Sequence, residues 1–310
     1  MADVARAPKT GRIPGGLSYR VGVLLVLLAG ACWSTMGLGI RLMQEAQVWQ
    51  ILFYRSVALA PFLFIVIAIR SGGKPIEVIR SAGLPGVFGG LALVAAFAGG
   101  IASIQLTTVA NAMFLFAAAP FIAAVLGWLV LGESVRKATW IAMTVAVIGI
   151  VIMVRGDIVI GDWLGSALAL LAGLGFAVFT IALRFGRSQD MMPAIFLSGM
   201  FAVVVAEAAC FLLGQSLAVP VNDIAIAMGL GVFQLGAGLV IFTAGSKVVP
   251  AAELALLAMS EVLLGPIWVW LFLGETASLS TLAGGSILML ALVGNALSGL
   301  RRKPGPIALP

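Results

Sequence analysis

Apolar residues run through this chain in ten long blocks, with polar residues and glycines gathered between them. The blocks fall at about 21–43, 47–69, 82–104, 107–131, 138–154, 162–184, 192–214, 224–245, 250–273 and 278–300. Most are close to the ~20 residues with which a helix spans ~30 Å of hydrocarbon. The short alternating segments of an outer-membrane barrel are absent. The pattern predicts an all-α integral membrane protein with ten transmembrane helices. The fifth block is the shortest and leaves little room for tilt.

A second pattern lies over the first. Leu131-Gly132-Glu133 closes the fourth block, and Leu273-Gly274-Glu275 closes the ninth, 142 positions later. Ala110-Asn111-Ala112 and Ala252-Glu253-Leu254 keep the same offset. Ala29-Gly30-Ala31-Cys32-Trp33 runs on to Arg41, and Ala172-Gly173-Leu174-Gly175-Phe176 runs on to Arg184, offset 143. A fixed offset with one slip is the trace of an internal duplication. It divides the chain into repeats 21–154 and 155–300, flanked by tails 1–20 and 301–310. Five helices per repeat is an odd number, so the second copy enters the membrane inverted. Inverted repeats place a transport site near the midplane between the halves.

Composition sharpens the picture. Hydrophobic residues make up 62% of the 310 and charged residues only 10%, against about 25% charged in soluble domains. Of the 18 lysines and arginines, the side holding both termini has Arg6, Lys9, Arg12, Arg20, Arg70, Lys74, Arg80, Arg136, Lys137, Arg184, Arg187, Lys247, Arg301, Arg302 and Lys303. The opposite side has only Arg41 and Arg155, and Arg55 is within a block. The positive-inside rule makes both termini cytoplasmic. The net charge of +6 sits in short loops and tails rather than one patch, which argues against nucleic acid. Residues 1–20 are polar and basic and lead into a full-length span, so the first helix is expected to be retained.

Ten helices, two inverted repeats, and a fourth and ninth helix with a small-residue start and a Leu-Gly-Glu finish resemble the EamA-type transporters of the drug/metabolite transporter superfamily. The resemblance covers about residues 20–300. It implies a central cavity enclosed by helices of both halves, alternating access, and a small-molecule cargo such as amino acids, nucleotide sugars, phosphorylated sugars or drugs. Within the superfamily the chain looks most like bacterial amino-acid exporters of the YddG type. It departs from the repeat where Ala119-Pro120 in helix four is matched by Glu261-Val262 in helix nine, whose own proline is Pro266.

Charges inside the bilayer are costly and mark candidate sites. Glu261, near the middle of helix nine, is added to one half only, since its repeat partner is Ala119. It reads as a site for a substrate ammonium group or a proton, against a structural carboxylate tied to a neighbouring helix. Glu253 and its repeat mate Asn111 read as inner and outer gate contacts, or as interfacial polar groups. Arg55 and Glu207 come out at similar depth and could pair. Their bland alternatives are snorkelling of Arg55 to headgroups and a structural hydrogen bond for Glu207. Trp33 and Gln234 interrupt helices one and eight and read as cavity wall or helix-packing groups. The substrate-binding candidates are therefore Glu261, Asn111, Gln234 and Trp33; the gating or coupling candidates are Glu253, Glu207 and Arg55. Trp163, Trp268 and Trp270 read as an outer aromatic belt, with Trp128 and Trp140 flanking the inner side. The two Leu-Gly-Glu glutamates read as caps of the turn into the next helix. Cys32 and Cys210 read as small core residues.

The chain has no histidine, so a histidine relay or metal ligand is excluded. It has no zinc spacing, Walker loop or Gly-x-Ser-x-Gly elbow. Gly161-Asp162 faintly resembles an intramembrane aspartyl protease but lacks a second aspartate. No cofactor, no metal and no enzymatic activity are expected. The reading is a secondary transporter of the bacterial inner membrane, exporting amino acids or similar small zwitterions as its two halves rock. The alternatives are the same fold carrying a cationic drug or nucleotide-linked sugar, and a passive channel or membrane scaffold. Oligomeric state stays open, since a ten-helix chain is large enough to work as a monomer.

Overall fold

The computed structural model describes residues 17–160, 163–186 and 190–300. Arg6, Lys9, Arg12, Arg187, Arg301, Arg302, Lys303 and Gly161-Asp162 lie outside the described residues, as do most of tail 1–20 and all of tail 301–310. Among the described residues ten helices are long and apolar enough to cross a membrane: span 1 Tyr19–Arg41, span 2 Val48–Arg70, span 3 Gly83–Leu106, span 4 Val109–Leu131, span 5 Lys137–Gly156, span 6 Trp163–Phe185, span 7 Met192–Leu212, span 8 Val221–Gly245, span 9 Glu253–Leu273 and span 10 Leu279–Gly299. With an even number, span 1 starts and span 10 ends on one side, here the near side; the other is the far side.

Four spans are irregular, and each irregularity falls where the site is built. Span 4 breaks after Phe116 and restarts at Ala119. Pro120 in the first turn of the restarted helix has no N–H to continue the ladder, and such a start accommodates it without loss. Span 9 breaks at Met259, 142 positions after Ala117, although its proline has moved downstream to Pro266. Span 1 breaks at Thr35. The hydroxyls of Ser34 and Thr35 bond back to the carbonyls of Ala31 and Cys32 at 2.7 Å each, competing with the helical ladder. In span 8, Leu230–Ala237 is π-helical.

The repeats interleave. Span 3 packs on span 6 and span 8 on span 1; span 4 packs on span 6 and span 9 on span 1; spans 2 and 7, and spans 5 and 10, pack on each other. These contacts obey the pseudo-two-fold relation, and all join one repeat to the other. Rocking of one whole repeat against the other would therefore tear the main helix interfaces, so any moving unit has to contain spans from both. Spans 5 and 10 form an outer layer, closely apposed at Gly149 and Gly284: a Cβ on Gly149 would sit 2.5 Å from the Gly284 carbonyl oxygen.

The duplicated Leu-Gly-Glu motif acts in two ways. Gly132 and Gly274 both end their helices with φ +67, a left-handed conformation open to glycine at little cost. The glutamate side chains do not close their own turns, the role expected of them from the sequence; they bond to other spans. Each reaches across to an arginine of the other repeat: Glu275 Oε2 to Arg41 Nε at 2.8 Å on the far side, and Glu133 Oε2 to Arg184 Nη2 at 2.5 Å on the near side. Arg41 and Arg184 are themselves repeat mates. Glu275 also accepts the Val109 N–H at 2.6 Å, placing negative charge at the N-terminus of span 4, and Arg41 donates to the Thr107 carbonyl at 2.6 Å.

The two pairs differ in exposure: 27% and 19% for Arg41 and Glu275, 47% and 40% for Arg184 and Glu133. Glu133→Gln is expected to cost at most ~1 kcal/mol, the range of exposed ion pairs. Glu275→Gln is expected to cost more, because its charge at the N-terminus of span 4 goes with the pair, even if the amide oxygen keeps the Val109 N–H. Thermal unfolding of the two purified variants checks the order; equal losses would show that the extra contacts of Glu275 carry no weight.

Of the five tryptophans expected at the interfaces, four are well exposed: Trp163 at 55%, Trp270 at 58%, Trp128 at 48% and Trp140 at 42%. Trp268 departs from that expectation. It turns inward and donates its indole N–H to the buried Ser34 hydroxyl at 2.8 Å.

Candidate functional site

Spans 1, 2, 3, 4, 6, 8 and 9, with the start of span 7, enclose a cavity of about 200 Å³. Spans 5 and 10 take no part. The walls are mostly apolar, including Met36, Leu93, Met113, Phe116 and Phe176. The few polar side chains are Trp33, Arg55, Ser103, Gln234 and Glu261. A mainly apolar pocket with a few converging polar groups is the usual form of a small-molecule site.

Three of these groups, Trp33, Gln234 and Glu261, stand at or beside an irregularity, while Arg55 and Ser103 come from the unbroken spans 2 and 3. Glu261 stands in the first turn of Ser260–Leu273, just after the break in span 9. The positive end of the half-helix lies at that turn, which eases a carboxylate there. Its carboxylate makes no ion pair or hydrogen bond among the described residues. Gly30 of span 1 leaves the room for this break: a Cβ there would lie 3.6 Å from the Glu261 nitrogen and overlap the Ser260 hydroxyl. Gln234 lies in the π-helical stretch and donates its amide to the Trp33 carbonyl at 3.2 Å. The Trp33 indole rests on Gly238 and stacks at 40° on Phe242, ring centres 5.2 Å apart.

Arg55 is 2% exposed, and its guanidinium carbon lies 4.3 Å from the centre of the Phe97 ring. The expected Arg55–Glu207 pair does not form. Glu207 is exposed on the outer face of span 7, beside the exposed Val204 and Val205, while Arg55 points inward. Burial also rules out snorkelling of Arg55 to the headgroups. Glu207, a gating or coupling candidate, therefore does not face the cavity.

Asn111 and Glu253 also stand apart from the cavity. Asn111 is fully buried at the start of span 4 and donates to Ser166 Oγ at 2.7 Å and Thr107 Oγ1 at 3.3 Å. That ties span 4 to span 6 above the far end of the cavity. Glu253 accepts the Tyr19 hydroxyl at 2.5 Å, joining the near ends of spans 9 and 1. Ser103 and Phe97, which line the site, had no signal in the sequence, since a serine and a phenylalanine in an apolar run are unremarkable.

The far side is tied shut. Beyond Ser103 and Ile104 lie the Thr107–Asn111–Ser166 cluster and the Arg41–Glu275 pair. Next to them, Asp223 accepts the N–H groups of Gln44, Glu45 and Ala46, Gln50 donates to the Ser216 carbonyl, and Tyr54 to that of Leu217. Toward the near side the lining continues through Phe179 and Leu239 to Met191 and Ile195, where span 7 begins.

Comparison with known proteins agrees with this architecture. A family described as "EamA-like transporter family" matches residues 20–155 and again 163–297. The "Pseudopaline exporter CntI" of Pseudomonas aeruginosa is 26% identical over 284 residues, covering 88% of this chain and 94% of the relative. An uncharacterized transporter of Archaeoglobus fulgidus is 28% identical, covering 78% and 83%. The uncharacterized transporter YwfM of Bacillus subtilis is 27% identical over 56% of this chain and 60% of its own. A solved crystal structure shares the fold with TM-score 0.63 and 18% identity, covering 92% of this chain and all of that one.

Proposed function

We propose, from the premise that this chain belongs to the EamA-like transporter family, that it is a secondary transporter exporting amino acids or similar small zwitterions from a bacterial cytoplasm. The observation that carries the reading is the cavity itself, mid-membrane, closed on the far side, with Glu261 in its wall. The excess of basic residues on the near side supports cytoplasmic termini, and with them a site loaded from the cytoplasm. The relative that is an exporter supports the direction, and the substrate class rests on the resemblance of the sequence to amino-acid exporters alone.

Glu261 receives the substrate ammonium, and Trp33 and Gln234 line its path. Alternating access takes place as cross-repeat units, spans 1, 8 and 9 against spans 3, 4 and 6, tilt about the midplane and exchange the far-side closure for a near-side one. Transport runs downhill or is coupled to protons at Glu261.

Counterflow of radiolabelled amino acids into proteoliposomes tests the reading. Wild type is expected to show saturable exchange, and Glu261→Gln at least a tenfold loss, the scale of one charge-assisted contact. Intact folded protein that exchanges no amino acid would overturn the substrate class. The apolar walls around one carboxylate favour a second reading, a cationic amphiphile; exchange of tetraphenylphosphonium but of no amino acid would select it.

A further inference from the structure

Arg55 is the unexplained group in the cavity. A guanidinium stays charged at any physiological pH, and placing it within a membrane is among the costliest choices a sequence makes. Among the described residues its guanidinium has one charge-favoured contact, the Phe97 ring beneath it, a cation–π interaction that holds one face of the plane. Among the described residues it has no carboxylate partner, and its Nε and Nη2 have no hydrogen-bond acceptor. Those two nitrogens form the side-on edge of the guanidinium. Their N–H bonds run parallel and match the two oxygens of a carboxylate.

Other cavity atoms are unmatched in the same way. The Trp33 indole N–H, the Ser103 hydroxyl and the Gln234 carbonyl oxygen are buried without a partner among the described residues. Buried polar groups are nearly always satisfied, and an unpaired one costs ~1–3 kcal/mol. Several in one cavity point to a ligand that completes them.

We propose that Arg55 is the carboxylate-binding residue of the transport site, its side-on edge gripping the substrate carboxylate while Phe97 holds the plane. This deepens the amino-acid reading and rests on it: with Glu261 as the opposite pole, the site selects a molecule carrying both an anionic and a cationic group, with an apolar part against the Met, Leu and Phe walls. The charge balance of the cavity favours a carboxylate over a phosphate, because Arg55 is the one cation among the described cavity residues and a phosphate dianion would leave charge uncompensated.

Exchange of three probes by proteoliposomes tests it: phenylalanine, phenylethylamine, which lacks the carboxylate, and 3-phenylpropionate, which lacks the ammonium. Wild type is expected to prefer phenylalanine to both. Arg55→Gln is expected to lose at least about tenfold of its exchange of phenylalanine and phenylpropionate while keeping that of phenylethylamine, so its preference for the acid disappears. Arg55→Lys, which keeps the charge but lacks the fork, is expected to recover part of the acid exchange. Glu261→Gln is expected to lose phenylalanine and phenylethylamine and keep phenylpropionate. Retained exchange of one probe in each variant shows that the variant is folded.

An Arg55→Gln protein with an unchanged ratio of acid to amine would overturn the proposal while leaving the transporter reading intact. So would a folded Arg55→Gln protein that lost all three probes equally. A wild type that exchanged phenylethylamine and tetraphenylphosphonium but neither acid would overturn it in favour of a cation carrier. A folded wild type that exchanged none of the probes would fail the amino-acid reading, and the proposal with it.

Discussion

Asp223→Ala is expected to lower the melting temperature of the purified protein by on the order of 6–12 °C, the largest stability loss from any single polar side chain on the far side. Asp223 opens span 8, is fully buried, and accepts N–H groups from three consecutive residues of the loop between spans 1 and 2: Gln44 at 3.0 Å, Glu45 at 2.9 Å and Ala46 at 2.9 Å. Successive N–H groups turned to one side form an anion-binding concavity. A hydrogen bond to a charged group contributes ~1.5–3 kcal/mol, and a donor left buried without an acceptor adds its own penalty. Gln44 and Glu45 are exposed and regain water, so the loss is about 3 kcal/mol rather than the sum of three full bonds. At ~2–4 °C per kcal/mol for a chain of this size, that is the expected shift. Asp223→Asn keeps one acceptor oxygen and should fall between. Melting curves of the three proteins in one detergent decide it, and an alanine variant that melts with wild type would show that the loop is held by its other contacts, such as Gln105 to the Ala46 carbonyl at 2.9 Å.

Gly231→Ala is expected to reduce transport by more than tenfold, and the reason is backbone rather than side chain. Gly231 lies in the π-helical stretch of span 8 against span 2. A Cβ there would overlap the Arg55 carbonyl oxygen, lie 3.1 Å from its carbonyl carbon and 3.3 Å from the Leu59 nitrogen. Side chains can escape such overlap by changing rotamer; a helical backbone cannot, so spans 2 and 8 must part. That separation falls where both helices supply the site, Arg55 from one and Gln234 from the other, and a displacement on the order of 1 Å costs ~100-fold in well-oriented chemistry. Gly229, two residues earlier, has nothing within 4 Å of an added Cβ. Gly229→Ala should keep full transport and gain slightly in helix propensity. Counterflow rates for the pair settle the matter: equal rates would mean that the close approach of spans 2 and 8 does not shape the site.

The glycines show where sequence reading stopped. Those of span 8 look alike in the sequence, yet they meet different things. Gly231 meets a backbone, Gly236 the Phe62 ring, Gly238 the Trp33 indole, and Gly229 open space. A glycine records that something comes near, not what. The candidate site divides in the same way. Glu261, Trp33 and Gln234 were legible because polar groups in an apolar run are costly and stand out. Asn111, Glu253 and Glu207 are equally costly, yet the fold spends the first two on joining helix ends and leaves Glu207 on the outer face. Depth along a span was readable; the direction around its axis was not.

The chain's apolar blocks and its repeat offset determined the fold class, the ten spans to within about three residues, the inversion and a resemblance to the family. Those are properties of a helix in lipid, set by length, hydropathy and parity, and need no contact between distant residues. The offset even aligned Arg41 with Arg184 and Glu133 with Glu275. That each arginine pairs with the glutamate of the opposite repeat was decided by how the repeats interleave. Tertiary structure likewise decided that Arg55 turns inward onto Phe97 away from Glu207, that Trp268 leaves the interface for Ser34, and that span 8 winds as a π-helix at Gln234. Each is set by the rotation of a helix about its own axis against its neighbours. In spans apolar on nearly every face, no sequence period marks that angle, and close packing alone fixes it.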